Sequence, residues 1–150
     1  MNVDLQTENV AKLIQLALGP VFLISGVGIT LSMLTQRLAR IVDRARKLES
    51  DRDETTHEKK LANIDEELKV IFRRARHINA AIALSTASAL FTTLVVTLLF
   101  ASEFVPLAVG VVIAILFVAS MGCLSTAFLV FLLEVRIATK ALRIGSHSNY

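Results

Sequence analysis

Residues Leu34–Glu49 read LTQRLARIVDRARKLE, and along this stretch an uncharged segment passes into a run of arginines with no glycine or proline between them. The lack of a helix-breaking residue predicts one continuous helix across that boundary. A helix that changes from apolar to strongly basic within a few turns is typical of a segment leaving a membrane. We therefore expect the chain before this stretch to lie in the bilayer and the arginines to lie at its surface.

The composition favours a membrane protein. Apolar residues make up 54% of the 150 positions, above the roughly 45–50% of an average soluble domain, and the mean hydropathy is +0.62. Three windows contain no charged residue and no histidine: Leu13–Gln36, Ile78–Ser102 and Phe104–Leu133. Each is long enough to cover a hydrocarbon layer of about 30 Å at about 1.5 Å per residue. The sequence thus predicts an all-α protein with transmembrane helices at residues 20–36, 78–102 and 106–133.

The segment before the first predicted span is amphipathic. Over residues 5–18 apolar side chains recur at helical spacing, with Glu8, Lys12 and Gln15 on the opposite face. Gly19-Pro20 then interrupts the pattern, because proline removes a backbone donor and clashes with the preceding turn. We expect an interfacial helix to end near Leu18 and the span to start at Pro20. One long helix kinked at Pro20 is the alternative.

The distribution of positive charge predicts the orientation. Of the 16 Lys and Arg residues, 12 lie within Arg37–His77 and three follow the third span, whereas only Lys12 precedes the first. Positively charged loops remain in the cytoplasm. The sequence therefore predicts an external N-terminus, a tight external turn over residues 102–106 and a cytoplasmic tail over residues 134–150.

Residues 37–77 are predicted to form an antiparallel cytoplasmic hairpin that is continuous with the first two spans. Apolar residues repeat at heptad spacing on both arms, at Leu34, Leu38, Ile41, Ala45 and Leu48 and at Leu61, Ile64, Leu68, Ile71, Ala75 and Ile78. Two seams of equal period can bury each other as in a coiled coil. Each arm holds only about two heptads, so contact with other subunits through the same seams remains open. Thr55 and Glu58 have the spacing of a capping box for the returning helix.

A basic collar is predicted where the hairpin meets the membrane. We define the collar as Arg37, Arg40, Arg44, Arg73, Arg74 and Arg76. Such residues commonly anchor helix ends and set topology. A cluster of four to eight basic residues also binds anionic lipid headgroups, at about 1 kcal/mol each, and the same collar could attract a permeating anion. Nucleic acid is not an expected partner, because the distal surface is acidic and no exposed aromatic residue accompanies the arginines.

Polar residues inside the second span have two interpretations. Ser85, Ser88 and Thr92 share one helical face. Hydroxyl groups in a span usually bond back to their own helix or across to a neighbour, and lining a hydrated pore in an oligomer is the alternative. In the first span, Gly28 and Ser32 have the small-residue spacing that permits close helix packing, and Gly26 is a further candidate for such packing.

Glu134 lies at the cytoplasmic end of the third span, level with Arg37 and Arg76. A carboxylate near hydrocarbon is expected to be paired, so the sequence predicts a salt bridge to one of these two arginines. A proton- or cation-sensing gate is the alternative role for the same group.

Two sequence blocks carry a resemblance to a known family. PVFLISGVG at residues 20–28 and RLARIVDRAR at residues 37–46 resemble the signature of a bacterial membrane family described as domain of unknown function 2721. The resemblance covers nearly the whole chain. It implies a bacterial inner-membrane protein and brings no activity, ligand or catalytic residue with it.

The sequence contains no recognisable catalytic constellation. Its single cysteine, Cys123, lies inside the third span, and His57, His77 and His147 lie at unrelated positions, so neither a metal nor a cofactor is expected. We expect a non-enzymatic homo-oligomer, because one three-helix chain covers only part of its apolar surface. A channel-like role is slightly favoured over a structural or adaptor protein whose hairpin binds a cytoplasmic partner or anionic lipid.

Overall fold

The computed structural model describes the backbone of residues 2–104 and 109–144, with side chains over residues 10–102 and 109–136. Three helices follow in chain order: α1 at Asn2–Asp53, α2 at Glu58–Phe104 and α3 at Gly110–Ile144. Each contains a stretch long and apolar enough to cross a membrane. The prediction of an all-helical chain with three such helices is confirmed.

Helix α1 does not end at Leu18, so the predicted break at Gly19-Pro20 is wrong. The helix continues through Pro20, whose side chain is buried. Buried and half-buried residues of α1 alternate at spacings of four and three on both sides of the proline, at Leu13, Ala17, Pro20, Ile24, Val27, Leu31, Leu34, Leu38, Ile41, Ala45 and Leu48. Packing along this inward face offsets the single backbone hydrogen bond that proline removes. The surface location of residues 5–18 stays a prediction.

The other predicted boundaries shift by a few residues. Helix α2 extends to Phe104, so Ser102 belongs to a helix rather than to the predicted turn. Helix α3 is described from Gly110 and continues through Glu134 to Ile144, so the first part of the predicted tail is helical. Hydropathy marks the residues that hydrocarbon tolerates, whereas backbone hydrogen bonding sets the ends of a helix. The remaining positions of the predicted turn and tail, residues 105–108 and 145–150, lie outside the described residues, as does the side chain of Glu103.

The described residues divide into two compact units. Unit 1 contains those up to Leu31 and those of 84–125, and unit 2 contains those of 32–83 and those from Thr126 onward. Each unit has its own interior: unit 1 contains a group of buried hydroxyl side chains, and unit 2 contains one buried carboxylate with two half-buried arginines.

The interior of unit 2 is built from residues of the two predicted heptad seams. A first cluster contains Ala45, Leu48, Ile64, Leu68 and Ile71, with Ile41 packed against it. A second cluster contains Leu34, Ile78 and Ala81, with Leu38, Ile41, Ile82, Val130 and Phe131 packed against it. Burying one large aliphatic side chain contributes about 1.5–3 kcal/mol. These clusters are therefore the main source of stability where α1 and α2 pack together.

Two ion pairs lie on the surface of unit 2 beside the first cluster. Arg44 Nη2 lies 2.7 Å from Glu67 Oε1, and Arg52 Nε lies 3.0 Å from Asp65 Oδ1. All four side chains are exposed by more than two fifths of their area. Exposed pairs contribute about 0.2–1 kcal/mol each, so they help to set which residues face each other more than they add stability.

The capping box predicted from Thr55 and Glu58 is not formed. The Thr55 hydroxyl instead donates to the carbonyl oxygen of Asp51 at 2.7 Å, at the end of α1. Helix α2 begins at Glu58, where the backbone N–H groups of Lys60 and Leu61 donate to the carbonyl of His57. The Thr55 side chain is thus used by the preceding helix, two residues before the position that a cap of α2 requires.

Candidate functional site

Glu134 of α3 is the one buried charged residue among those the structure describes, with 1% of its surface exposed. It lies on the inward face of α3, because Ala127 is buried and Phe131 is half-buried at the preceding spacings of seven and three residues. A carboxylate on such a face is strongly destabilising unless positive groups and hydrogen bonds compensate for the lost water.

Two arginines, one from each of the other helices, provide this compensation within unit 2. Arg37 Nη1 donates to Glu134 Oε2 at 2.9 Å. Arg74 donates to Oε1 from both Nε and Nη2, at 3.1 and 2.9 Å. The Arg37 guanidinium also lies over the ring of Phe131, 5.0 Å from its centroid, at a distance where the ring attracts a cation. Glu134 therefore accepts three charge-assisted hydrogen bonds that connect α1, α2 and α3.

The structure brings Arg37 and Glu134 together, but the second partner is Arg74 and not Arg76. Arg74 lies three residues after Ile71 and four before Ile78, both of which are buried, so it shares their face of α2. Two residues further on, a side chain has turned by about 200° around the helix, and Arg76 is accordingly exposed. The spacing of Arg74 from Ile71 and Ile78 could have identified it from the sequence as a residue of the inward face.

A cavity of about 330 Å³ lies beside this ion cluster, lined by Arg37, Arg40, Ile41, Arg74 and Glu134. Three guanidinium groups and one carboxylate leave it with a net charge of +2. Arg37 and Arg74 keep 29% and 30% of their side-chain surface exposed, and Arg40 is exposed. The cavity therefore presents N–H donors and excess positive charge to its surroundings, an arrangement suited to binding an anion.

The other collar residues do not line this cavity. Arg44 donates from Nε and Nη2 to Glu67 Oε1, at 3.2 and 2.7 Å. Arg73 and Arg76 have exposed side chains. The predicted collar thus separates into three arginines at one cavity and three at other positions on the surface of unit 2.

The hydroxyl side chains of α2 lie inside unit 1, where Ser85, Ser88 and Thr92 are fully buried. The hydroxyls of Ser88 and Thr92 lie 3.0 and 2.6 Å from that of Ser120 on α3, which also donates to the Ser88 carbonyl at 2.9 Å. These bonds join α2 to α3. Side chains with no exposed surface in a single chain are not available to line a pore between copies, so that alternative does not fit their positions. Ser120 was not predicted, since its partner is on another helix.

The predicted packing residues Gly26, Gly28 and Ser32 make no close helix contact among the residues that the structure describes. Gly26, Gly28 and Ser32 are exposed, and a Cβ atom built on either glycine would meet no neighbouring group within 4 Å. The inward face of this segment uses Val27 instead, one residue away from each glycine. Contact of the small residues with another copy stays a prediction.

Within the described residues, no group of three or more His, Cys, Asp and Glu side chains could hold a metal ion. Cys123 is half-buried and free. The three arginines and the single carboxylate of the cavity present N–H donors and net positive charge, which suit an anion.

A family model described as a protein of unknown function (DUF2721) matches residues 17–144. The matched range contains the four charged residues of the cavity and the hydroxyl group of α2 and α3. No curated protein and no solved structure matches the chain.

Replacing Glu134 with Gln should destabilise the protein, because two partly buried guanidinium groups lose their carboxylate. Breaking a buried ion pair costs on the order of 3–5 kcal/mol, and we expect the lower end of this range because both arginines keep nearly a third of their surface exposed. Thermal unfolding in mild detergent measures the change. Adding Arg74→Gln should recover part of the loss, whereas adding Arg76→Gln should recover none. Equal recovery of stability by Arg74→Gln and Arg76→Gln would contradict the contact between Arg74 and Glu134.

Replacing Ser120 with Ala should lower the free energy of unfolding by about 1–2 kcal/mol, because the bonds to Ser88 and Thr92 are lost. Ser85→Ala is the matched control. The Ser85 hydroxyl is buried and has no hydrogen-bond partner among the described residues, so its removal should leave stability unchanged or raise it. Chemical denaturation of both variants checks the difference, and an equal loss in both would count against the hydroxyl contacts described above.

Proposed function

Since the chain belongs to a family of unknown function, DUF2721, we propose its role from its own residues: it is a non-enzymatic membrane protein whose basic collar binds anionic lipid headgroups. The observation that carries this proposal is the cavity beside Glu134, where three arginines accompany a single carboxylate. Because Glu134 balances only one of the three positive charges, the cavity favours binding of a further anion. At the cytoplasmic face of a bilayer, anionic lipids create a negative surface potential that attracts clustered basic residues.

The proposed topology places the N-terminus outside and residues 37–77 in the cytoplasm of a bacterial cell. In this orientation 15 of the 16 basic residues lie on the cytoplasmic side, as positively charged segments generally do. Arg37 and Arg40 directly follow the first predicted span, and Arg74 and Arg76 directly precede the second. All four then lie at the level of the lipid headgroups.

The hairpin above the collar suits a structural or adaptor role. The α1 arm from Arg37 to Asp53 extends about 25 Å at about 1.5 Å per residue, and the buried cluster around Leu48 and Leu68 supports a rigid pair of helices. Eight acidic residues lie between Glu49 and Glu67. A rigid hairpin with basic residues near the membrane and acidic residues at its tip can bind the membrane at one end and a cytoplasmic partner at the other.

A pore between copies of the chain has less support. The hydroxyl residues that would have lined it are buried within unit 1. The outward faces carry large apolar side chains such as Phe22, Ile29 and Val118, each exposed by 70% or more. Such faces suit lipid or another apolar helix and not a path for ions. Homo-oligomerisation through these faces is compatible with the collar proposal and is not required by it.

Lipid selectivity tests the collar. In reconstituted bilayers the protein should immobilise spin-labelled phosphatidylglycerol in preference to spin-labelled phosphatidylcholine. The variant with Arg40, Arg73 and Arg76 replaced by Gln should lose about half of this preference, because these three exposed arginines are half of the collar. The matched control replaces Arg52, Lys59 and Lys60 by Gln, which removes the same charge from the distal part of the hairpin. Equal losses in both variants would overturn the proposal, as would selectivity that persists at 1 M salt, where the Debye length is about 3 Å.

Single-cysteine labelling tests the topology. In a Cys123→Ala background, a cysteine at Asn2 should react with an impermeant maleimide added to intact cells. A cysteine at Asp53 should react only after the cells are permeabilised, because the hairpin is then accessible. The reverse pattern would overturn the orientation and would place the collar at the external surface.

A further inference from the structure

We infer that the cavity lined by Arg37, Arg40, Ile41, Arg74 and Glu134 is a discrete binding site for a phosphate group, in which Glu134 is a positioning residue. The inference rests on the proposed function for the depth of the site at the bilayer surface. The donors, the charge and the size of the cavity argue for the ligand independently of that topology.

Glu134 engages only part of each guanidinium group. Arg37 uses Nη1 and Arg74 uses Nε and Nη2. Within the described part of the chain, Nε and Nη2 of Arg37 and Nη1 of Arg74 have no acceptor. Arg40 forms no ion pair with any residue that the structure describes, and its side chain is exposed. Several N–H donors from three arginines thus remain available around one cavity.

The two inner arginines are held in place before any ligand binds. Arg37 is fixed by Glu134 on one side and by the ring of Phe131 on another. Arg74 is fixed by its two hydrogen bonds to a single carboxylate oxygen. Long basic side chains normally lose conformational freedom when they bind a ligand, and prior immobilisation reduces that loss. The cavity is therefore better organised for binding than the exposed collar residues Arg73 and Arg76.

The charge of the cavity favours a terminal phosphate. The planar fork of arginine matches both carboxylate and phosphate oxygens, and Glu134 already supplies a carboxylate. The remaining charge of +2 is matched by a phosphomonoester, which carries about −1.5 to −2 near neutral pH. A phosphodiester carries a single negative charge and leaves part of the excess unbalanced. The volume of about 330 Å³ lies at the low end of the roughly 300–1,000 Å³ of small-molecule pockets.

Two sources could provide this chemistry: the terminal phosphate of a lipid such as phosphatidic acid, or a soluble phosphomonoester. The experiment uses one probe of each kind, dihexanoyl phosphatidic acid and glycerol 3-phosphate. Each is titrated by calorimetry into the purified full-length protein in uncharged detergent. We expect saturation at one phosphate per chain, because a discrete site has a fixed stoichiometry and a diffuse collar has none.

Matched variants separate the site from the collar. Arg40→Gln should weaken binding of the preferred probe roughly tenfold or more, since it removes charge-assisted hydrogen bonds without touching Glu134. Arg40→Lys should give an intermediate loss, because the charge remains and the fork does not. Arg76→Gln removes the same charge from a position outside the cavity and should change the affinity by less than about twofold. Equal weakening by Arg40→Gln and Arg76→Gln would overturn the discrete site and leave the collar proposal intact.

The sign of the Glu134→Gln effect tests the positioning role. Removing a negative charge raises the net charge of the cavity, so a mere neighbour of the site would give tighter phosphate binding after the substitution. A residue that holds Arg37 and Arg74 in place gives weaker binding instead. Glu134→Asp keeps the charge and shortens the reach, and it should also weaken binding. Tighter binding in Glu134→Gln would exclude the positioning role.

The two probes decide the source of the phosphate. Binding of the lipid probe at least tenfold more tightly than glycerol 3-phosphate supports a lipid ligand, and similar affinities support a soluble one. Absence of saturable binding for both probes overturns the inference. If spin-labelled lipids show no anionic selectivity while phosphate still binds with the Arg40 dependence, the collar proposal fails and the site stands.

Discussion

The buried carboxylate of Glu134 is the group on which the packing of unit 2 depends. It receives hydrogen bonds from Arg37 on α1 and Arg74 on α2, so one residue from each helix meets at one point. Attraction to the arginines offsets the desolvation of the carboxylate only in this geometry. A slip of one residue along any helix would turn its charged side chain by about 100° and leave the carboxylate underpaired. The ion cluster therefore fixes a register that apolar packing alone would leave less strictly defined.

In unit 1, neutral hydroxyl groups fix the register between helices. The Ser120 hydroxyl lies against those of Ser88 and Thr92, so α2 and α3 are joined by short hydrogen bonds without any buried charge. Between apolar helices in a lipid environment the hydrophobic effect gives little preference for one contact over another, and interhelical hydrogen bonds supply part of it. Hydroxyl groups do so at low cost because their alternative partners are carbonyls of their own helix. Among the buried side chains that the structure describes, the one full charge, that of Glu134, lies in unit 2.

Residues whose direction follows from spacing alone were predicted well. Ala45, Leu48, Ile64 and Leu68 were assigned to the two seams, and they pack in one cluster, because a heptad repeat defines one face of a helix. The predicted end of the helix before Pro20 was wrong. The prediction considered only the one backbone hydrogen bond that proline removes, and not the packing of the inward face on both sides of Pro20. The presence of the helices and their inward faces could thus be predicted from the sequence, whereas the continuity of α1 through Pro20 could not.

The second arginine partner of Glu134 shows a different limit. Arg37 and Arg76 were predicted as partners because of their position along the helix axis relative to the spans. That position does not say which side of the helix a residue faces. Arg74 shares the face of Ile71 and Ile78, which only becomes decisive once that face is known to meet α3. The same holds for Ser120, because its contacts depend on the register between two helices that are distant in sequence. The inward face of a helix could be predicted from spacing, whereas the exact partners across two helices needed the structure.

The amount of charge in the cavity argues for a ligand more strongly than for stability. A single arginine would neutralise Glu134, yet a second one binds it and a third, Arg40, lines the same cavity without forming an ion pair with it. Arg37 and Arg74 already satisfy both oxygens of Glu134, and buried ion pairs are often no more stabilising than apolar residues of the same size. Stability therefore gives no reason for the third arginine. Exposed arginines at a bilayer surface do have such a reason, because the phosphate groups there can complete the hydrogen bonds that Glu134 leaves open. In the proposed arrangement, Glu134 positions the arginines and the phosphate groups of anionic lipids would balance their charge.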